Sequence, residues 1–176
     1  MMRRLEIKYY PSKGKPGNLM RNEVPDEVVE KLVKYAEKDC SNIKIRYNPE
    51  AEIGPENYFE FMLRYGDNYI AFIGDEPIAD VNFYITNNLL GETLGELTFL
   101  YTRSEWRDLH IGSILFLYAI RQMECIYKVE KIYFTIADYA ERPNIPMRRI
   151  CEKVLGIKIN PNEKHPYIIY KTVNSK

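Results

Sequence analysis

From Ile111 to Tyr127 only Ser113, Arg121, Gln122 and Glu124 are plainly polar. A helix with so wide an apolar surface has to lie on a sheet. Strand signals flank it on both sides. Leu94 to Thr102 precedes it, with Leu97, Phe99 and Tyr101 predicted to point one way and Glu96, Thr98, Leu100 and Thr102 the other. Lys131 to Ala137 follows it, with Ile132, Phe134 and Ile136 on one face. This β-α-β unit constrains everything else in the chain to complete a sheet around it.

The remaining segments supply that sheet. Leu5 to Tyr10 reads as a first strand, and Pro11 to Asn18 as a turn-rich loop. Pro25-Asp26-Glu27 opens a helix with an apolar face of Val28, Val29, Leu32, Val33 and Ala36. Pro55 to Tyr65 predicts a second, shorter helix. Tyr69 to Ile73 and Ala79 to Thr86 predict a hairpin turning at Gly74-Asp75-Glu76-Pro77. In its second arm Ala79, Val81, Phe83 and Ile85 alternate with polar residues, as a strand with one buried face does. A loop spans 87–93, Pro146 to Leu155 predicts a helix ended by Gly156, and Tyr167 to Val173 a last strand. The order β-α-α-β-β-β-α-β-α-β predicts an α+β fold with a mixed sheet. No linker or repeat divides the 176 residues, so residues 1–176 are expected to form one domain.

Composition narrows the function classes. Lys plus Arg and Asp plus Glu both number 25, a balance that argues against a dedicated nucleic-acid binder. The basic bias of the first residues (Arg3, Arg4, Lys8, Lys13, Lys15 and Arg21 against Glu6) reads as a solvated arm. No apolar run reaches the ~18 residues that span a bilayer, so no membrane role is expected. Cys40, Cys125 and Cys151 fit neither a zinc spacing nor an even disulfide set, which points to a reduced, cytoplasmic protein. Fifteen tyrosines favour strands and half-buried surfaces.

The chemistry concentrates in Glu96 to Ser113, where a strand runs through a short loop into the long helix. The first turn of that helix leaves backbone N–H groups unpaired at the positive end of the dipole. Gly112 removes a side chain there and Ser113 adds a hydroxyl. Such a turn suits a pyrophosphate.

Here the sequence resembles the GNAT N-acetyltransferase superfamily, whose pyrophosphate motif is Arg/Gln-x-x-Gly-x-Gly/Ala. Arg107-Asp108-Leu109-His110-Ile111-Gly112 matches its first and last positions, with His110 in place of the first glycine. Asn144 and the segment that follows, as far as Gly156-Ile157, resemble the downstream family segment, with Cys151 where a tyrosine often stands. The resemblance covers roughly residues 69–173. It implies a GNAT-like, mostly antiparallel mixed sheet flanked by helices, with a split between the two central strands near Leu100 to Thr102. It also implies acetyl-CoA as cofactor. The residues it assigns to that cofactor are Leu100, Tyr101 and Thr102 along pantetheine, Arg107, Asp108, Leu109, His110, Ile111, Gly112 and Ser113 around the diphosphate, and Asn144 on the pantetheine arm.

The implied activity is acetyl transfer to a primary amine by direct attack in a ternary complex, with no metal. An alkyl ammonium has to lose a proton before it can attack. Glu96, eleven residues before Arg107 as in several histone-acetylating members of the family, is the candidate base. Cys151 and Tyr139 are the candidate acids for the leaving thiolate. Acceptor identity stays open among small amines, antibiotics, peptide N-termini and lysine side chains. The exposed last strand is an edge at which a homodimer could form. The alternative functions are a GNAT-like module that has lost activity, or an unrelated α+β interaction protein.

Overall fold

A computed structural model describes residues 3–13, 20–39, 59–138 and 142–175. Its elements are β1 (Leu5–Tyr10), α1 (Asp26–Asp39), α2 (Phe59–Arg64), β2 (Asp67–Ile73), β3 (Glu76–Asn87), β4 (Thr93–Thr102), α3 (Ile111–Arg121), β5 (Lys131–Thr135), α4 (Ile145–Leu155) and β6 (Tyr167–Lys171). The predicted order is reproduced. The six strands lie in chain order, antiparallel at every step but β4–β5, which is parallel. Residues 55–58 of the predicted second helix lie outside the described residues. Among the described residues no helix is long and apolar enough to cross a membrane.

Two apolar clusters sandwich the sheet. On its back face, Val81, Phe83, Ile85 and Leu97 pack with Leu115, Phe116 and Ala119 of α3 and Cys151 and Leu155 of α4. On its front face, Ile70, Phe72 and Tyr101 pack with Val29, Leu32 and Val33 of α1 and Phe59 of α2. β3 is therefore buried on both faces, whereas its alternation had predicted one. At one of its front positions a polar residue does structural work. Asn82 donates to the Met62 carbonyl at the end of α2 and to the Asp67 carbonyl.

Local chemistry sets the element ends. Gly74 takes φ +63° in a two-residue turn, and β3 starts directly at Glu76. Pro77, which has no N–H for the ladder, is tolerated beside a register shift between Ala71 and Phe72. α3 ends as an α-helix at Arg121, six residues short of the prediction, and continues as a π turn over Gln122–Ile126. The polar run of Arg121, Gln122 and Glu124 marks that change. Gly156 caps α4 in the left-handed region, as predicted. At the far end of α3, the Tyr9 and Tyr127 hydroxyls both donate to Asp67 Oδ2, at 2.5 and 2.6 Å, and so tie β1, β2 and the helix together.

Candidate active site

Two irregularities in β4 build the site. The first is a bulge. Asn82 pairs with Phe99 while Phe83 pairs with Leu97, so Thr98 is the extra residue. Its hydroxyl donates to the Asn82 carbonyl at 3.1 Å and also to Asn82 Oδ1. The bulge resets the alternation. Leu97 and Leu100 belong to the back cluster, and Phe99 and Tyr101 to the front one. The sequence had placed Leu97, Phe99 and Tyr101 together and Glu96 with Leu100 and Thr102. In the structure Glu96 shares the front face with Thr98, Phe99 and Tyr101, because an inserted residue cannot be read from a period of two.

The second irregularity is the split. β4 and β5 pair only over Leu94–Glu96 and Lys131–Tyr133. Among the described residues, the β5-side edge of β4 has no ladder partner from Leu97 to Thr102. The strands thus diverge three residues earlier than the Leu100 to Thr102 predicted. Glu96 and Tyr133 are the last pair and form the apex of the cleft. Glu96 is half-buried there and accepts a hydrogen bond from the Tyr84 hydroxyl.

The open edge leads into the loop before α3. Tyr101 sends its side chain to the front, donating to Asp39 Oδ2 at 2.7 Å. Ser104 donates to the same carboxylate through its N–H at 3.1 Å and its hydroxyl at 3.2 Å. Burial pushes Asp39 up, but these bonds outweigh it and hold the carboxyl below its ordinary value. The end of α1 is thereby pinned to the start of the loop. Arg103 adds its guanidinium 3.5 Å over the Tyr35 ring.

Arg107, Asp108, Leu109 and His110 are exposed, and Arg107 Nε donates to the Thr102 carbonyl at 3.1 Å. Asp108 and His110 adopt φ +65° and +61°. His110 thus holds the left-handed conformation that glycine, the family residue, takes without cost. As N-cap of α3 it gives no side-chain bond, and the first intrahelical bond runs from Ile114 N–H to its carbonyl at 3.1 Å. The amides of Ile111, Gly112 and Ser113 have no intrahelical acceptor. A Cβ at Gly112 would lie 3.6 Å from Thr102 Oγ1, 3.9 Å from Leu100 Cδ2 and 3.6 Å from Ile150 Cδ1. The structure therefore brings Leu100, Thr102 and Gly112 to one junction between β4, α3 and α4.

Asn144 lies across the cleft as the N-cap of α4. Its Oδ1 accepts from Met147 N–H at 3.3 Å, and Nδ2 donates to the Ala137 carbonyl at 3.2 Å. The position is rigid because Asp138 accepts from the Asn144 N–H at 2.8 Å and from Arg148 Nη2 at 2.6 Å. Both partners of that ion pair keep only 7% of their side-chain surface exposed. The Arg148 guanidinium, assisted by the Asn144 and His165 amides, holds the Asp138 carboxyl well below the usual carboxylate range. This ionic knot has no local sequence signal, because Asp138 and Arg148 stand on different elements and Arg148 is one of several basic residues in its segment.

The two candidate acids fare differently. Cys151 is fully enclosed in the back cluster, and burial pushes its thiol up to about 12. That places it in the core rather than at the cleft, since it occupies the inward stripe of α4 with Leu155. Tyr139 lies outside the described residues.

The comparisons with known proteins agree with this fold. The sequence model described as "Acetyltransferase (GNAT) family" matches residues 29–157. No curated protein matches the sequence. Among solved structures, Arabidopsis thaliana NAA60 in complex with a bisubstrate analogue superposes with a TM-score of 0.60 at 15% identity, covering 97% of this chain and 100% of that one. Arabidopsis thaliana Naa50 in complex with the bisubstrate analogue CoA-Ac-MVNAL gives 0.52 at 14% identity, over 94% and 96% of the two chains. An aminoglycoside acetyltransferase, meta-AAC0020, from an uncultured soil metagenomic sample gives 0.58 at 12% identity, over 93% and 96%.

Proposed function

The chain belongs to the GNAT acetyltransferase family, whose cofactor is acetyl-CoA, and on that footing we propose that it moves the acetyl group of acetyl-CoA to a primary amine by direct attack in a ternary complex. The observation that carries the proposal is the early end of the β4–β5 ladder, which leaves an unpaired strand edge running from Glu96 to the uncapped first turn of α3.

The residues present fit the cofactor. The Ile111, Gly112 and Ser113 amides, with Arg107 beside them, would hold the diphosphate. Gly112 leaves the backbone bare at the mouth, and the exposed His110 keeps the glycine-like turn. The open edge of Leu100, Tyr101 and Thr102 would bond the amides of the pantetheine arm. Asn144 has one Nδ2 hydrogen beyond its capping bonds with which to meet that arm. The cofactor supplies an acyl group already activated as a thioester.

Glu96 would take the proton that the ammonium must lose, directly or through water. Tyr84 would keep the carboxylate aimed at the cleft. The amine nitrogen then bonds the acetyl carbon as the carbon–sulfur bond breaks. The fixed apex of the sheet holds the two partners within reach of each other, which is where most of the rate gain arises. Cys151, enclosed in the core, has no part in this reading. Peptide amines and aminoglycoside amines, the acceptors named for the structural neighbours, are both within the proposed class.

Acetyl-CoA should raise the melting temperature. At a hundred times its Kd the gain is about 2.7 kcal/mol. Amine acceptors should then release free CoA thiol. A melting curve that does not move at millimolar acetyl-CoA would sink the proposal.

A further inference from the structure

We infer that the front face of β5 and β6, where Tyr167 and Ile169 are exposed beside Glu96, is the acceptor subsite, and that it selects a singly charged primary amine carrying an aromatic or branched apolar group. The inference rests on the transferase reading above and adds the substrate class.

One row of residues crosses four strands at the apex of the cleft. Tyr84 pairs with Glu96, Glu96 with Tyr133, and Tyr133 with Ile169. Directly paired residues share a face of a sheet. That face is the front, because Gly95 and Ile132, next along their strands, meet on the back against Met123. Tyr167 joins the row by lying parallel to Tyr133, with centroids 6.2 Å apart and planes 7° from each other. Tyr167 and Ile169 are 58% and 53% exposed. Burial, and then the nearby Glu96 carboxylate, raise the pKa of the Tyr167 phenol.

Neighbouring strands stand ~4.8 Å apart. Tyr133 is one strand from Glu96 and Ile169 two strands. An ammonium at Glu96 would therefore place a group two or three bonds away over Tyr133 and Tyr167. Tyrosine faces also favour a cation directly. Charge limits the choice further. Glu96 is the sole carboxylate in the row, and the next front-face pair along β5 and β6 is Lys131 with Lys171, of which Lys131 is ion-paired with Glu92 at 3.6 Å. Glu92 offsets one of these two charges, and a second or third ammonium on the acceptor would meet the positive charge that Lys171 leaves there, so polyamines and aminoglycosides fit poorly. The required chemistry, one ammonium beside an apolar group, is found in a small arylalkylamine and in a peptide that begins with an apolar residue.

The test compares kcat/KM by thiol release for 2-phenylethylamine, ethylamine, spermidine and a tetrapeptide beginning with Phe. The unaltered protein is expected to favour 2-phenylethylamine or the peptide over ethylamine by about tenfold or more, and spermidine not at all. Whichever of the first two is faster names the source. The exposed pair Tyr167→Ala with Ile169→Ser should bring the ratio to ethylamine towards one through KM, with the melting temperature kept. Tyr167→Phe, which retains the ring, should preserve it. A preference for spermidine, or a ratio that survives the double substitution, overturns the subsite and leaves the transferase reading standing. No thiol release with any amine overturns both.

Discussion

Tyr84 and Glu96, directly paired across β3 and β4, are joined by a hydrogen bond from the tyrosine hydroxyl to the carboxylate at the point where the sheet divides. The bond puts the Glu96 carboxylate in a defined orientation. Glu96→Gln is expected to lower kcat by about 10²-fold or more, the usual worth of a positioned base, and to keep the acetyl-CoA thermal shift. Tyr84→Phe should reduce kcat less, by several-fold, with the KM for acetyl-CoA unchanged. Steady-state kinetics on both variants checks the pair. Full activity in Glu96→Gln would remove Glu96 from the mechanism.

His110 in the left-handed region gives a second test. That backbone costs an L-residue about 1–2 kcal/mol, of which glycine's greater freedom in the unfolded chain cancels roughly 0.5–1. His110→Gly should therefore be neutral to slightly stabilising in chemical denaturation. Its acetyl-CoA affinity should equal or exceed that of the parent, because the turn already has a glycine-like shape. A large loss of affinity would show that the imidazole itself contacts the diphosphate.

Asp80 makes stability depend on pH. It is fully buried between Ile70 and Tyr101 on the front face, and among the described residues neither carboxylate oxygen has a hydrogen-bond partner. Burial pushes its carboxyl well above the usual range. In the unfolded chain it titrates near pH 4, at about 3.9. Between that value and its raised folded pKa the native state binds the extra proton, so stability falls as pH rises. The limit from one group is about 1.4 kcal/mol per pH unit. Urea unfolding at pH 5 and pH 8 should show a loss that Asp80→Asn abolishes. Equal slopes in the two proteins would refute the assignment.

The Asp138–Arg148 pair acts with the opposite sign. Its carboxyl is depressed, so its contribution is complete above the unfolded value and disappears as pH falls below about 4. Truncating one partner of a buried pair typically costs about 3–5 kcal/mol. Arg148→Met should approach that cost and loosen the Asn144 cap, since the guanidinium also donates to the Asn160 and Glu163 carbonyls. Denaturation at pH 7 measures it. A loss under ~1 kcal/mol would mean that water replaces the arginine.

Much of this protein was legible from its residues. The element order follows from local signals: the apolar stripe of Ile111 onward needs a sheet, Gly156 ends a helix, and Ile132, Phe134 and Ile136 alternate. The start of the long helix at Ile111 was legible too, because the polar loop before it and the apolar run after it are local signals. What only the tertiary structure decided was where side chains meet. The Thr98 bulge moved Glu96 to the front face, since an inserted residue is set by the pairing of two strands and not by the pattern of one. Burial took Cys151 out of reach, and the register of β5 with β6 set Tyr133, Tyr167 and Ile169 beside the apex. Periodicity records which way a residue points within its own element. Contacts between residues far apart in the chain depend on register and packing, which exist only once the sheet has formed.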